Sequence, residues 1–188
     1  MKYKFTEVLN DLINYFILAD IRLLESWKET NKLSDNLAVE FVTNESADNA
    51  VNEGIILPMT GIENYPYTII FNLGEESPEL LKEENRLQLR HSGYSLKIEN
   101  NMLLLFTWRI LEQFTADKVN ALINNYKLQK RPMVEIDNGW YSIEILGGET
   151  LQDGEYEPTL EFMLKKKDKH ESGQVDINCS YRIDSSAY

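Results

Sequence analysis

Apolar residues recur at helical spacing from the start of the chain. Val8, Leu9, Leu12, Ile13, Phe16, Ile17, Leu23, Leu24 and Trp27 form one wide stripe, which predicts a long helix over residues 6–32. Thr6 suits its N-cap, and Glu7 its first turn, where negative charge complements the helix dipole. Asp20 interrupts the stripe. A polar residue at the stripe's edge, paired with Arg22 or Lys28, explains it better than a buried functional carboxylate.

The pattern then shortens. Residues 37–43 (LAVEFVT) predict a strand and residues 44–54 a polar loop with at most one helical turn. Strands follow at 55–57 and 67–73, separated by a turn-rich stretch with Pro58, Gly61 and Pro66. Ser77-Pro78-Glu79 opens a short helix. RLQLRH-SG-YSLKIE-NN-MLLLFTW reads as a three-stranded meander. With two-residue turns at Ser92-Gly93 and Asn100-Asn101, Leu89 faces Leu96, Leu87 faces Ile98, Ile98 faces Leu103 and Leu96 faces Leu105.

A helix follows near 115–127, with Thr115 as N-cap, Phe114 and Val119 as a hydrophobic staple, and Val119, Leu122, Ile123 and Tyr126 as its buried stripe. MVEID-NG-WYSIEIL predicts a hairpin at Asn138-Gly139 that pairs Ile136 with Tyr141 and Val134 with Ile143. Its outer face carries Glu135, Asp137, Trp140, Ser142 and Glu144, and Gly147-Gly148 ends it. Leu160, Phe162 and Leu164 mark another alternating strand. Val175, Ile177, Cys179, Tyr181 and Ile183 mark the last, after a turn over 166–173. The sum is an α+β fold: a largely antiparallel sheet built of meanders and hairpins, with the long N-terminal helix and the helix near 115–127 covering one face. One domain spans residues 1–188, with the helix of residues 1–33 packed on it.

Charge changes the picture more than composition does. Hydrophobic residues make up 43% of the chain, enough for a packed core despite a net charge of −12. The acid is segregated. Between Lys32 and Lys82 there is no Lys or Arg, yet nine carboxylates occur; between Arg131 and Lys165 there are eight more. Such a surface repels nucleic acid and anionic membrane and attracts basic partners. The Lys165–Lys169 cluster reads as a charged strand edge that discourages edge pairing, not as a nucleic-acid surface. The single cysteine, Cys179, allows no intrachain disulfide, and the N-terminus lacks a signal-peptide pattern, so a cytoplasmic location is expected.

No catalytic motif stands out. His91 and His170 have no nucleophile motif near them, no Cys/His spacing suits zinc, and no glycine pattern suits a nucleotide, so neither cofactor nor metal is expected. Glu135, Asp137 and Glu144 beside Trp140 could serve a carboxylate-dependent hydrolase acting on a neutral substrate such as a carbohydrate. A solvated sheet face accounts for them more simply. The loop Asp153-Gly154-Glu155-Tyr156-Glu157 is oxygen-rich but departs from the calcium-loop pattern.

What remains is binding: Glu63, Tyr65, Tyr67, Glu135, Asp137, Trp140, Glu144, Asp153, Glu155 and Tyr156 combine steering carboxylates with anchoring aromatics. Small acidic proteins that occlude the basic active site of a nuclease, bacterial immunity proteins among them, work on this physics. The resemblance is one of type: small, acidic, α+β, without a catalytic motif. It implies an inhibitor that masks a basic protein partner. The competing expectation is a structural or assembly component held by a self-complementary apolar patch.

Overall fold

The structure is a computed structural model that describes residues 1–8, 13–74, 76–170 and 179–188. Two sheets stack face to face, and helices cover the outside of one of them. The first sheet has the order β1-β4-β9-β8-β5: β1 Lys2–Val8, β4 Pro66–Asn72, β9 Glu155–Lys167, β8 Gly139–Gln152 and β5 Arg86–Ile98. The second has the order β3-β2-β6-β7: β3 Ile56–Thr60, β2 Tyr15–Ala19, β6 Met102–Thr107 and β7 Met133–Glu135. Pairing is antiparallel throughout except between β4 and β9. On the second sheet lie α1 Ile21–Thr30, α2 Leu37–Thr43, α3 Ser46–Asn52 and α4 Ala116–Gln129.

Two apolar layers result. Phe16, Leu18, Leu103 and Leu105 enter the core between the sheets, with Tyr67, Phe71, Leu96, Ile143 and Phe162. Their neighbours Ile17, Ala19, Leu104 and Phe106 point the other way, into the core beneath the helices. β2 and β6 are therefore buried on both faces, which requires continuous apolar runs in place of alternation.

That demand explains the first correction. The long N-terminal helix is absent: Lys2–Val8 and Tyr15–Ala19 are strands, and only α1 is helical. A run such as FILA fits a helix stripe and a doubly buried strand equally well. Asp20 is fully buried, not at an edge. It caps α1, accepting from Arg22 N and Leu23 N at 3.1 Å each, and also accepts from Glu99 N at 2.9 Å and Asn100 N at 2.8 Å.

Residues 37–43 form α2, not a strand. The Asn36 side chain caps Val39 N at 3.1 Å, and burial of Leu37, Ala38 and Phe41 on one face outweighs the β-branched bias of the segment. The polar stretch after it contains α3.

The meander does not form. β5 runs straight through Ser92-Gly93, absorbing it as a bulge between His91 and Tyr94, and pairs with β8. Leu96 lies opposite Tyr141, and Leu105 opposite Leu18. The Asn138-Gly139 hairpin does not form either: β7 pairs with β6, whereas β8 pairs with β9 and β5. Asn100-Asn101, between β5 and β6, and Asn138-Gly139, between β7 and β8, each carry the chain from one sheet to the other. The tight hairpin is Asp153-Gly154, joining β8 to β9, where both residues have positive φ (51° and 92°) as a two-residue turn of this kind needs.

α4 matches expectation. Thr115 caps Lys118 N, and Val119, Leu122, Ile123 and Tyr126 are buried. Of the final strand, residues 175–178 lie outside the described residues. Beyond them Ser180 makes one bridge to Thr60, and Tyr181 and Ile183 enter the inter-sheet core. No helix among the described residues is long and apolar enough to cross a membrane.

Candidate protein-binding surface

β8 has fourteen residues and spans roughly 45 Å at about 3.3 Å per residue. Its two ends therefore hold separate surfaces, and the expected binding residues divide between them. Glu135, Asp137, Trp140 and Glu144 lie at or near its start; Asp153, Glu155 and Tyr156 lie at its finish.

At the start, β9 brings its lysines alongside. Trp140 pairs with Lys167, Tyr141 with Lys166 and Ser142 with Lys165. Asp137 meets Lys166 Nζ at 3.7 Å, and Glu144 accepts from Arg90 Nε at 2.6 Å. Trp140 is flanked by the His170 ring at 4.7 Å, with Lys97 Nζ 5.9 Å from its ring centre. Acid that clusters along the sequence is interleaved with cations in space here. The carboxylates considered for hydrolysis are among those held: Glu144 by Arg90 and Asp137 by Lys166.

The finish differs. Asp153 and Glu155 stand exposed on the tight turn, and Glu157 is half-buried beside them. Among the described residues none of the three has an ion-pair partner. The cations nearby are engaged elsewhere. Lys4 Nζ donates to Gln152 Oε1 at 2.6 Å, Arg86 lies 3.6 Å over the Tyr156 ring and reaches Glu149 at 3.3 Å, and Arg182 sits between Glu63 (3.6 Å) and Asp184 (3.4 Å). Tyr65 stacks on Tyr188 at 5.3 Å, and Tyr188 lines, with Thr6, Thr68, Gln152 and the three carboxylates, a cavity of about 450 Å³. Beneath it, the Thr150 and Thr159 hydroxyls bond at 2.7 Å, and Gln152 Nε2 donates to Thr68 Oγ1 at 2.9 Å and Thr150 Oγ1 at 2.7 Å. Satisfied polar groups of this kind fix the base of the turn.

Tyr67 also lines this cavity but exposes no side-chain surface to solvent. It is fully buried, edge-on to Phe16, and burial pushes its hydroxyl pKa well up. The sequence marks Glu157 only as part of the oxygen-rich loop, and it does not mark Asp184 or Tyr188. Asp153-Gly154 read as a hairpin turn would have placed Glu155 and Glu157 on one face.

The C-terminal segment closes this end. Gln88 and Asp184 exchange two bonds of 2.8 Å, and the buried Glu149 accepts from Ser186 N (2.6 Å) and Ser186 Oγ (2.7 Å). Burial alone would raise the Glu149 pKa, but the Ser186 bonds and Arg86 together hold it below the usual carboxylate range. A depressed folded-state pKa stabilises the folded form above the unfolded value, near 4.3, and that contribution is lost as pH falls through the lower folded value. Acidification below pH about 4 should therefore release the tail first. Hydrogen exchange at the Ser186 amide should accelerate before that of the β8 core. In Glu149→Ala, which removes the acceptor, the Ser186 amide should already be poorly protected at neutral pH.

Among the described residues no three His, Cys, Asp or Glu side chains are grouped to hold a metal ion. No protein-family model matches the chain, and no curated protein matches it. Among solved structures, one described as "Crocagin biosynthetic gene J" is similar with a TM-score of 0.49 and 11% identity, over 89% of this chain and 99% of that one. Another is described as "Crystal structure of ComJ, inhibitor of the DNA degrading activity of NucA, from Bacillus subtilis". It is similar with a TM-score of 0.43 and 10% identity, over 89% of this chain and 96% of that one. Likenesses this slight carry no argument about function.

Proposed function

We propose that the chain is an acidic protein-binding module that masks a basic partner, in the manner of an inhibitor or immunity-type protein, and that the β8–β9 end makes the contact. The observation that supports this reading is the set of uncompensated carboxylates, Asp153, Glu155 and Glu157, on a tight turn whose base is fixed by buried hydrogen bonds. Charge held on a rigid element attracts an opposite surface without the entropy cost of ordering long side chains. Tyr156, Tyr65 and Tyr188 lie beside the carboxylates and supply aromatic contact area.

The test is affinity capture from a lysate of the source organism, with release by a salt step, run in parallel on wild type and on the triple variant Asp153→Lys, Glu155→Lys, Glu157→Lys. A basic protein retained by wild type and lost from the variant is the expected result. Equal retention by both would remove this end from the contact.

A further inference from the structure

A cavity of about 700 Å³ lies on the outer face of the first sheet, away from the β8–β9 turn. Register explains how it forms. Glu144 lies opposite Met163, and Ser142 opposite Lys165, so Met163 and Lys165 share the outer face with Glu144; Arg90, opposite Leu146, joins them from β5. The segment after β4 folds over this floor, held by the buried Glu161, which accepts from Leu80 N at 3.0 Å. It contributes Leu73, Ser77, Pro78 and Leu81 as one wall.

Among the described residues that line the cavity, three cations, Arg90, Lys165 and Lys166, face two carboxylates, Glu76 and Glu144. Of its lining carboxylates, Glu144 is held by Arg90 and Glu76 by the Met1 amino group at 2.9 Å. Lys166 has a distant partner in Asp137 at 3.7 Å. Lys165 Nζ has none among the described residues. Arg90 is oriented through its Nε bond to Glu144, and its two terminal nitrogens also have no partner among the described residues. In a chain of net charge −12, a cavity lined by Arg90, Lys165 and Lys166, with Met163 on its floor and Leu73, Pro78 and Leu81 on its wall, is the exception to the surrounding field.

We infer that this cavity binds a small amphipathic anion: an apolar body ending in one carboxylate or a comparable head group. The body packs on Met163, Pro78 and Leu81, with the flexible thioether adapting to its shape. The head takes hydrogen bonds from Lys165 Nζ and from the open side of the Arg90 guanidinium, which presents paired donors to a carboxylate. The volume falls within the range of roughly 300–1,000 Å³ usual for small-molecule sites. The inference is independent of the β8–β9 surface, since it uses a different face and opposite charge.

Sodium octanoate is the probe, and the Met163 methyl is the reporter. The chain has five methionines, and Met163 is the one that lines this cavity. In protein labelled with ¹³C at the methionine methyls, octanoate should shift the Met163 resonance saturably and leave the others in place. Met163→Leu identifies that resonance. 1-Octanol, with the same body and no charge, should bind at least about fivefold more weakly, and Lys165→Glu should weaken octanoate by a similar factor. Lys165→Arg should retain binding. An unmoved Met163 methyl would overturn the proposal, and so would equal affinity for octanoate and octanol, or a Lys165→Glu variant that binds octanoate as wild type does.

Discussion

Replacing Asp20 with Ala should cost about 3 kcal/mol of folding stability, the largest loss expected from a single side chain outside the apolar layers. One fully buried carboxylate serves two elements. Oδ1 takes the first free N–H groups of α1, and Oδ2 takes Glu99 N and Asn100 N where β5 hands the chain over to the second sheet. The Asn100 side chain adds Nδ2 contacts at 3.2 and 3.1 Å. Alanine leaves both sets of donors without an acceptor. Asparagine has one carbonyl oxygen, so Asp20→Asn can satisfy the cap or the turn but not both, and its loss should be intermediate. Urea unfolding should report these changes as a lower midpoint at constant m-value. An Asp20→Ala midpoint equal to wild type would mean that water already satisfies these amides.

Gly148→Ala should be nearly as damaging, by about 2–3 kcal/mol, through overpacking in place of a lost bond. A Cβ on Gly148 would overlap the Arg86 carbonyl oxygen and sit 3.0 Å from Arg86 C and 3.1 Å from Gln88 N, all backbone atoms that cannot rotate away. Here β5 crosses close over β8, with a register shift between Leu87 and Leu89. The clash should lift the first half of β5 and with it the Arg86–Glu149 and Gln88–Asp184 contacts that hold the tail. The expected signature is faster amide exchange in residues 86–91 and in the tail, with α4 unaffected. Unchanged exchange there would show that β5 shifts register to absorb the methyl.

Inward and outward parity was legible in the sequence, and partnership was not. Val134, Ile136, Tyr141, Ile143, Leu96, Ile98, Leu103 and Leu105 all face the core between the sheets, as their alternation predicts. Alternation fixes which face a residue takes within its own strand but says nothing about which strand lies beside it. Leu89 and Leu96, expected to face each other, lie on one strand because a bulge at Ser92-Gly93 substitutes for a turn. α4 was legible because its cap, staple and stripe agree independently. α1 was half-legible and α2 misread. The cap signal of Asn36 was present in the sequence, but three β-branched residues in LAVEFVT pointed to a strand, and only burial of Leu37 and Phe41 decides for the helix.

The surface divides in the same way. That acid would cluster was visible in the sequence; where it would cluster was not. The Glu135–Glu144 group loses its isolation because β9 lays Lys165, Lys166 and Lys167 beside it, a pairing that only the fold creates. The Asp153–Glu157 group keeps its isolation because the cations that reach this end are engaged elsewhere, Lys4 by Gln152 and Arg86 by Glu149 and the Tyr156 ring.

The β8–β9 end as the docking face for a basic partner is tested most directly by the association rate as a function of ionic strength. Wild type should be compared with the triple lysine variant at 153, 155 and 157 and with a Glu135→Lys, Asp137→Lys control, each against the captured partner. At low salt the triple variant should associate about tenfold or more slowly, the control should associate at nearly the wild-type rate, and the differences should fade as salt screens them. A triple variant that associates as fast as wild type, or a control that is the slower of the two, would contradict the assignment of this end as the docking face.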